Sequence, residues 1–543
     1  MLNKIEPNPI ISIIVIVLLM LCINIDVIDV TIMEARNFIT AREMIDDGNW
    51  LLTTMNGEPR YQKPPLPSWL AALSGLLFGI KNIFALRLPG ILMVAVTGIA
   101  SYLLSLKLLN NKKHALINTF ITITSFYVIG IVIEAPWDIF THGFMLVAIL
   151  HLFQLFEKKT NYWKHTLIAG VFFGLSILSK GPISLYALLL PFLLAYGFSY
   201  KFKNLKTKTF SIFSFIIIAL IIGGWWYLYV RLEDPVTFTE ITSKETGNWG
   251  SYNVRPFYYY WSFFTQSGLW TIPAFIALLY PYMKSRVSNL KAYRFSFYWT
   301  IFAVILLSII PEKKSRYLMP VLIPMAINTG FYIEYLIRKF KDIKDKKEII
   351  PVYFNFGLIA CIGILFPLIG FAIGTFLTGT ILWWFLLASV LLASIGILMV
   401  VNLKRKQIKK VFYLSIAFTV AALISVLPLS KIQNQADYNP ISNLQLELDK
   451  VNLLIYSLNG ISPEMIWQYG AKIPQVNSSS TYNFPKQSKF AILSNELQSE
   501  ELEFFQKSFN IEKKEVFDLN RKVDGERGYK KRLVSHLYIF TKK

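Results

Sequence analysis

Apolar residues fall in long runs separated by short polar stretches. Runs such as 10–25, 210–230 and 380–401 are long enough to cross most or all of a bilayer's hydrocarbon core, which takes about 20 residues of helix. Matched to that length, the pattern predicts about thirteen membrane helices. They lie near 9–25, 84–108, 115–133, 138–156, 165–179, 182–199, 209–230, 265–283, 294–310, 317–336, 351–375, 380–401 and 411–430. The apolar stretch 66–80 opens among Pro64, Pro65 and Pro67 and reads as an interfacial helix, with a true span as the alternative. Phe38, Ala41 and Ile45 share one helical face, with Gly48 as a stop, which predicts an amphipathic helix in the same loop. After residue 430 the pattern turns polar, with short apolar strands near 453–458, 490–493 and 537–540. Ser462-Pro463-Glu464 has the form of a helix start, with Ser as the cap and Pro in the first turn. The chain therefore reads as a transmembrane domain over 1–430 and a small α/β domain over 431–543.

Composition agrees. Of 543 residues, 54% are hydrophobic and 16% charged, against about a quarter charged in soluble domains. The first run reads as a retained span, because no small-residue cleavage site follows it and more spans come later. Cys22 and Cys361 both lie in apolar runs and read as packing residues, so no disulfide or zinc framework is expected.

The net charge of +22 points to topology rather than nucleic acid. Lys and Arg concentrate in alternate short loops at 112–113, 158–164, 201–208, 284–294, 338–347 and 404–410. By the positive-inside rule those loops are cytoplasmic, as is the N-terminus. With thirteen spans, the C-terminal domain is extracytoplasmic.

The opposite side holds two long loops, 26–83 and 231–264, and short turns near 134–138, 180–181, 311–316 and 376–379. These carry Arg36, Arg42, Arg60, Lys63, Lys180, Arg255, Lys313, Lys314 and Arg316. Cations placed against the topology bias call for another role, and anion binding supplies one.

Acids accompany them. Glu34 opens the first loop's helix, where the dipole favours a carboxylate. It suits either a helix cap or a general base. Asp138 begins a span, again as cap or functional acid, and His142 follows one turn later as a packing residue or ligand. Lys63 precedes prolines that stiffen its turn. Lys313, Lys314 and Arg316 form a cluster suited to phosphate, or to an interfacial anchor. The aromatic run around Tyr258, Tyr259 and Trp261 suits both sugar stacking and the membrane interface.

Together these motifs resemble the GT-C glycosyltransferases, in the branch of bacterial aminoarabinose transferases and dolichyl-phosphate-mannose-type protein mannosyltransferases. The resemblance runs from Glu34 to about Pro324. It rests on Glu34-Ala35-Arg36 with Arg42-Glu43-Met44, on Arg60-Tyr61-Gln62-Lys63-Pro64, on Asp138, and on Ser179-Lys180-Gly181-Pro182. Arg255-Pro256-Phe257-Tyr258-Tyr259 and Lys314-Ser315-Arg316-Tyr317 with Pro320 complete it.

The resemblance implies an inverting sugar transfer from a polyprenyl-phosphate donor to a lipid A-like glycolipid or a protein of the cell envelope, on the outer face of the plasma membrane. Glu34, or by a local shift Asp29, would be the base, and Asp138 a second essential acid. Arg36, Arg60, Tyr61, Lys63, Lys180, Arg255, Tyr259, Lys313, Lys314, Arg316 and Tyr317 would bind substrate. Three departures from the family pattern stand out. Met33 occupies the place of its leading Asp, Gln62 replaces a Glu, and the 231–264 loop has no His. The last two remove residues that hold a metal in some relatives, so neither metal nor other cofactor is expected. A flippase of lipid-linked glycans is the alternative. It would require polar groups along a path through the bilayer, whereas here the acids and bases pool on one face.

Overall fold

The computed structural model describes residues 5–134, 136–203, 205–374, 377–433, 438–478 and 481–543. The predicted turns at 134–138 and 376–379 and the end of the predicted 351–375 span fall partly outside them, at residues 135 and 375–376. The chain divides into two compact units. One comprises Met1–Ile28, Tyr61–Pro67 and Arg87–Ser430; the other comprises Asp29–Arg60, Ser68–Leu86 and Lys431–Lys543.

The larger unit is helical. Among the described residues, nine helices are long and apolar enough to cross a membrane, and a tenth span is formed if Lys112–Ile123 and Phe126–Glu134, bent by 45°, count as one. The chain is a multi-pass membrane protein. Several predicted spans differ in form. The 182–199 span contains a π-helical turn, Leu185–Leu189, before Leu190–Ser199. The 265–283 span is broken into Phe263–Trp270, Thr271–Ala277 and Tyr280–Met283. Gly268, at φ +66°, and Pro273 and Pro281 explain the breaks.

Trp163–Lys180 and Leu205–Glu233 pack on glycines. A Cβ at Gly174 would meet Ile222 Cβ at 2.6 Å, and one at Gly223 would meet Ile177 Cβ at 2.6 Å. The small residues let the helices approach closely where lipid supplies no hydrophobic drive.

The smaller unit is an α/β body with a four-stranded sheet. Its strands are β1 (Ile455–Leu458), β2 (Lys489–Ser494), β3 (Phe509–Asp518) and β4 (Val534–Lys542), in the order β1-β2-β4-β3. β1 runs parallel to β2, and the other pairs are antiparallel. Ser462 caps Pro463–Tyr469 as expected, accepting from the Met465 N–H.

The first-loop helix, Ile32–Asp46, belongs to this unit. It was expected to be amphipathic, but nearly every residue from Glu34 to Met44 is buried. Phe38 packs on Trp467, with ring centroids 5.3 Å apart. Most of its buried polar side-chain atoms tolerate enclosure because they are bonded. Asn37 accepts from Ser68 Oγ at 2.6 Å, and Arg42 donates to the Ala471 carbonyl at 3.1 Å. Glu43 accepts from Thr54 Oγ1 and from the N–H groups of Asn56 and Gly57.

Candidate active site

In the membrane unit, four predicted residues come together. Asp138 opens Pro136–Glu157, and Lys180 closes Trp163–Lys180 just before Gly181, whose φ is +77°. The two form an ion pair with side chains 3% and 9% exposed. Arg316 contributes positive charge to the pair, and the Lys180 ammonium lies 5.4 Å from the Tyr317 ring centroid. Asp138 Oδ2 and Arg316 Nε are buried and have no hydrogen-bond partner among the described residues.

Burying such a pair is costly unless the remaining polar atoms find partners. The open carboxylate oxygen and open guanidinium nitrogen give this centre unused capacity to bind a polar ligand. Arg316 can offer a planar fork of donors, the geometry that suits phosphate.

A second layer holds the 310–317 segment in place. Arg255 N–H donates to the Pro311 carbonyl and Lys313 N–H to the Asn253 carbonyl, which lays the two loops side by side. The Tyr260 hydroxyl donates to the Lys314 carbonyl at 3.0 Å, and Tyr259 and Ser315 hydroxyls are 3.1 Å apart. Glu312 pairs with Lys314 at 2.7 Å and accepts from the Tyr317 hydroxyl at 3.0 Å.

Lys313 departs from its expected role. Its ammonium donates to the carbonyls of Arg255 and Ile310, at 3.0 and 2.6 Å, in a residue only 3% exposed. It is used to fasten the loop, and burial lowers its pKa. Arg255 itself is exposed.

Tyr61 and Lys63 belong to the membrane unit as well. Tyr61 donates to Asp234 Oδ2 at 3.1 Å, and burial, followed by that carboxylate, pushes its pKa up to about 12. Lys63 pairs with Glu245 at 3.5 Å, half exposed. Neither acid was singled out from the sequence, although Asp234-Pro235 has the form of a helix start, and Asp234 caps Pro235–Ser251.

The other candidates lie in the smaller unit. Glu34 is fully buried and closes a capping box: its carboxylate accepts from the Thr31 N–H at 3.0 Å, and Thr31 Oγ1 accepts from the Glu34 N–H at 3.4 Å. Asp29 is salt-bridged to Arg521, with Nη2 to Oδ1 at 2.8 Å. Arg60 donates to Thr40 Oγ1 at 2.8 Å and to the Arg36 carbonyl. Burial and the Arg36 charge both lower its pKa. Among the described residues, no three His, Cys, Asp or Glu side chains gather as a metal site would require.

The sequence and the fold resemble those of known proteins. Residues 62–226 match the dolichyl-phosphate-mannose-protein mannosyltransferase family. An uncharacterized protein of Aquifex aeolicus is 26% identical over 56% of this chain and 60% of its own length. The undecaprenyl phosphate-alpha-4-amino-4-deoxy-L-arabinose arabinosyl transferase of Shewanella sediminis is 24% identical over 54% of each. The chain thus spans little more than half the length of such relatives. The crystal structure of ArnT from Cupriavidus metallidurans bound to undecaprenyl phosphate superposes with a TM-score of 0.68 at 13% identity, covering 98% of this chain and 97% of that one. The class read from the motifs is borne out: the fold is that of the GT-C glycosyltransferases, of the aminoarabinose-transferase and protein-mannosyltransferase type.

Proposed function

We propose that the protein is a membrane glycosyltransferase that moves a sugar from a polyprenyl-phosphate donor to a cell-envelope acceptor, either a lipid A-like glycolipid or a protein, on the extracytoplasmic face. The observation that carries this reading is the buried Asp138–Lys180 pair beside Arg316, with one oxygen and one guanidinium nitrogen unpartnered. A donor phosphate would take its place against Lys180 and Arg316, with Lys63, Lys314 and Arg255 adding charge and Tyr259, Tyr317 and Tyr61 shaping the site. Arg36 and Arg60 complete the substrate-binding set. Cations already in position where the leaving phosphate gains charge lower the barrier without rearranging.

Transfer is inverting in this reading. The acceptor oxygen bonds to the anomeric carbon as the bond to the donor phosphate oxygen breaks on the opposite face. The polyprenyl phosphate leaves as an anion, and the acceptor proton passes to a carboxylate. Glu34 is the base, with Asp29 the alternative, and Asp138 is a second essential acid. A base contributes about 10²–10⁴ in rate. Gln is as acceptable as Glu in a capping box, so Glu34→Gln removes the charge and keeps the helix start.

Sugar transfer in proteoliposomes tests the scheme. Glu34→Gln is expected to lose at least about a hundredfold in rate with an unchanged melting temperature, and Lys180→Met to lose donor turnover. Full activity in both Glu34→Gln and Asp29→Asn removes both base assignments. Movement of labelled lipid without glycosylated product in the same vesicles overturns the transferase reading in favour of a flippase.

A further inference from the structure

His142 is the one imidazole beside the buried ion pair. It lies one turn beyond Asp138 on the continuous helix Pro136–Glu157 and is 3% exposed. Its Nδ1 is buried with no partner among the described residues, as is Asp138 Oδ2. Two unsatisfied buried groups, four residues apart on one helix, share a helical face and call for an explanation. The charges felt by the imidazole are Asp138 on its own helix and Lys180 on the neighbouring one. Around the pair stand Arg316, Lys63, Tyr186 and Tyr317, with Glu312 behind the two tyrosines and bonded to the Tyr317 hydroxyl.

Charge counting gives these orphans a role. Lys180 neutralises Asp138, so an imidazolium at His142 would lack a counter-ion. An anionic group that draws both Lys180 and Arg316 onto itself reverses the balance and leaves the Asp138 carboxylate short of compensating charge in a buried site, a costly state. We infer that His142 is the positioning residue that then takes over from Lys180: its open nitrogen takes one proton from solvent and donates it as a hydrogen bond to Asp138 Oδ2. The proton taken up offsets the charge of a monoanionic ligand, so the summed charge of Lys180, Arg316, Asp138 and His142 with the ligand is the same after binding as before. The inference rests on the donor-phosphate reading of this centre and adds that donor binding takes up a proton.

Calorimetric binding of a prenyl phosphodiester, farnesyl methyl phosphate, tests it in buffers of different ionisation enthalpy. A diester exchanges no proton of its own near neutrality. The detergent-solubilised full-length protein is expected to take up close to one proton, and its Kd to weaken about tenfold per pH unit above pH 7. His142→Phe, His142→Gln and, independently, Asp138→Asn are expected to bind without proton uptake and with a Kd flat in pH. Asp138→Asn removes the orphan charge while leaving the imidazole in place, so it answers the question even if neither His142 variant folds. Equal proton uptake by wild type and the variants overturns the inference, as does pH-independent binding by the wild type, and both leave the donor site intact. No binding by the wild type overturns the donor-site reading and the inference together.

Discussion

A buried ion pair is weak evidence for stability but strong evidence for a constraint. Removing one member strands the other, at about 3–5 kcal/mol, whereas replacing both with neutral groups of similar volume is often nearly neutral. Asp138 and Lys180 fit that case, because their side chains are 3% and 9% exposed. Lys180→Met and Asp138→Asn are each expected to lower the thermal midpoint in detergent by several degrees. The double variant should recover most of the loss while remaining inactive in sugar transfer. A double variant no more stable than the singles would mean that the pair is not the unit that matters. The sequence marked both residues but not their partnership, since 42 positions separate them and only the packing of two helices brings them together. Lys313 shows the reverse. In sequence it is one of three cations in four residues, yet two backbone carbonyls claim its ammonium. Charge clusters are legible in a sequence; which member is spent on the backbone is not. Glu34 was weighed as cap or base, and the capping box shows the cap without excluding the chemistry.

At the scale of elements, long apolar runs were the most legible feature, because length alone separates a span from a core helix. The breaks were harder to read. Residues 265–283 carry no charge, yet Gly268, Pro273 and Pro281 divide them into short helices. β3 escaped notice for a different reason: it is an edge strand whose middle is charged, with Glu512, Lys513, Lys514 and Glu515 exposed. Edge strands carry such charges to discourage pairing with other chains, which erases the apolar alternation that would announce them. Helix packing gives a sharper test. Gly223 and Gly224 are neighbours, but a Cβ at Gly223 would meet Ile177 Cβ at 2.6 Å and the Gly174 carbonyl at 2.9 Å, whereas one at Gly224 meets nothing within 4 Å. Gly223→Ala is expected to destabilise by about 1–3 kcal/mol through overpacking. It should also lower transfer activity, because Lys180 ends the helix that must move. Gly224→Ala should be neutral in both measurements. Equal effects of the two would show that the glycines serve something other than close approach.

At the scale of the whole molecule, orientation follows from parity, and parity can be counted at both ends of the chain without the broken helices of the middle. One apolar span, Pro9–Val27, precedes the first long loop. Three more, Lys346–Ile373, Gly379–Lys404 and Ile408–Lys431, separate the basic loop at 338–347 from the C-terminal domain. Among the described residues the number at each end is odd, and we predict from it that the domain lies on the opposite side from Lys346 and the first long loop opposite the N-terminus. If the basic loops are cytoplasmic, the first loop and the C-terminal domain face outward. The prediction concerns single cysteines placed at exposed positions after Cys22 and Cys361 are replaced by Ala. Glu58→Cys, Ser251→Cys and Lys514→Cys should react with a membrane-impermeant maleimide in intact cells. Lys159→Cys and Lys346→Cys should react only after permeabilisation. Labelling of Lys159→Cys and Lys346→Cys from outside would reverse the orientation and move the acids and cations of the proposed site to the cytoplasmic face. Labelling of Glu58→Cys and Lys514→Cys from opposite sides would break the parity argument itself. The Asp138–Lys180 centre would then have to be assigned a face from its own flanking loops, with Ser251→Cys as a marker on the loop that pairs with the 310–317 segment.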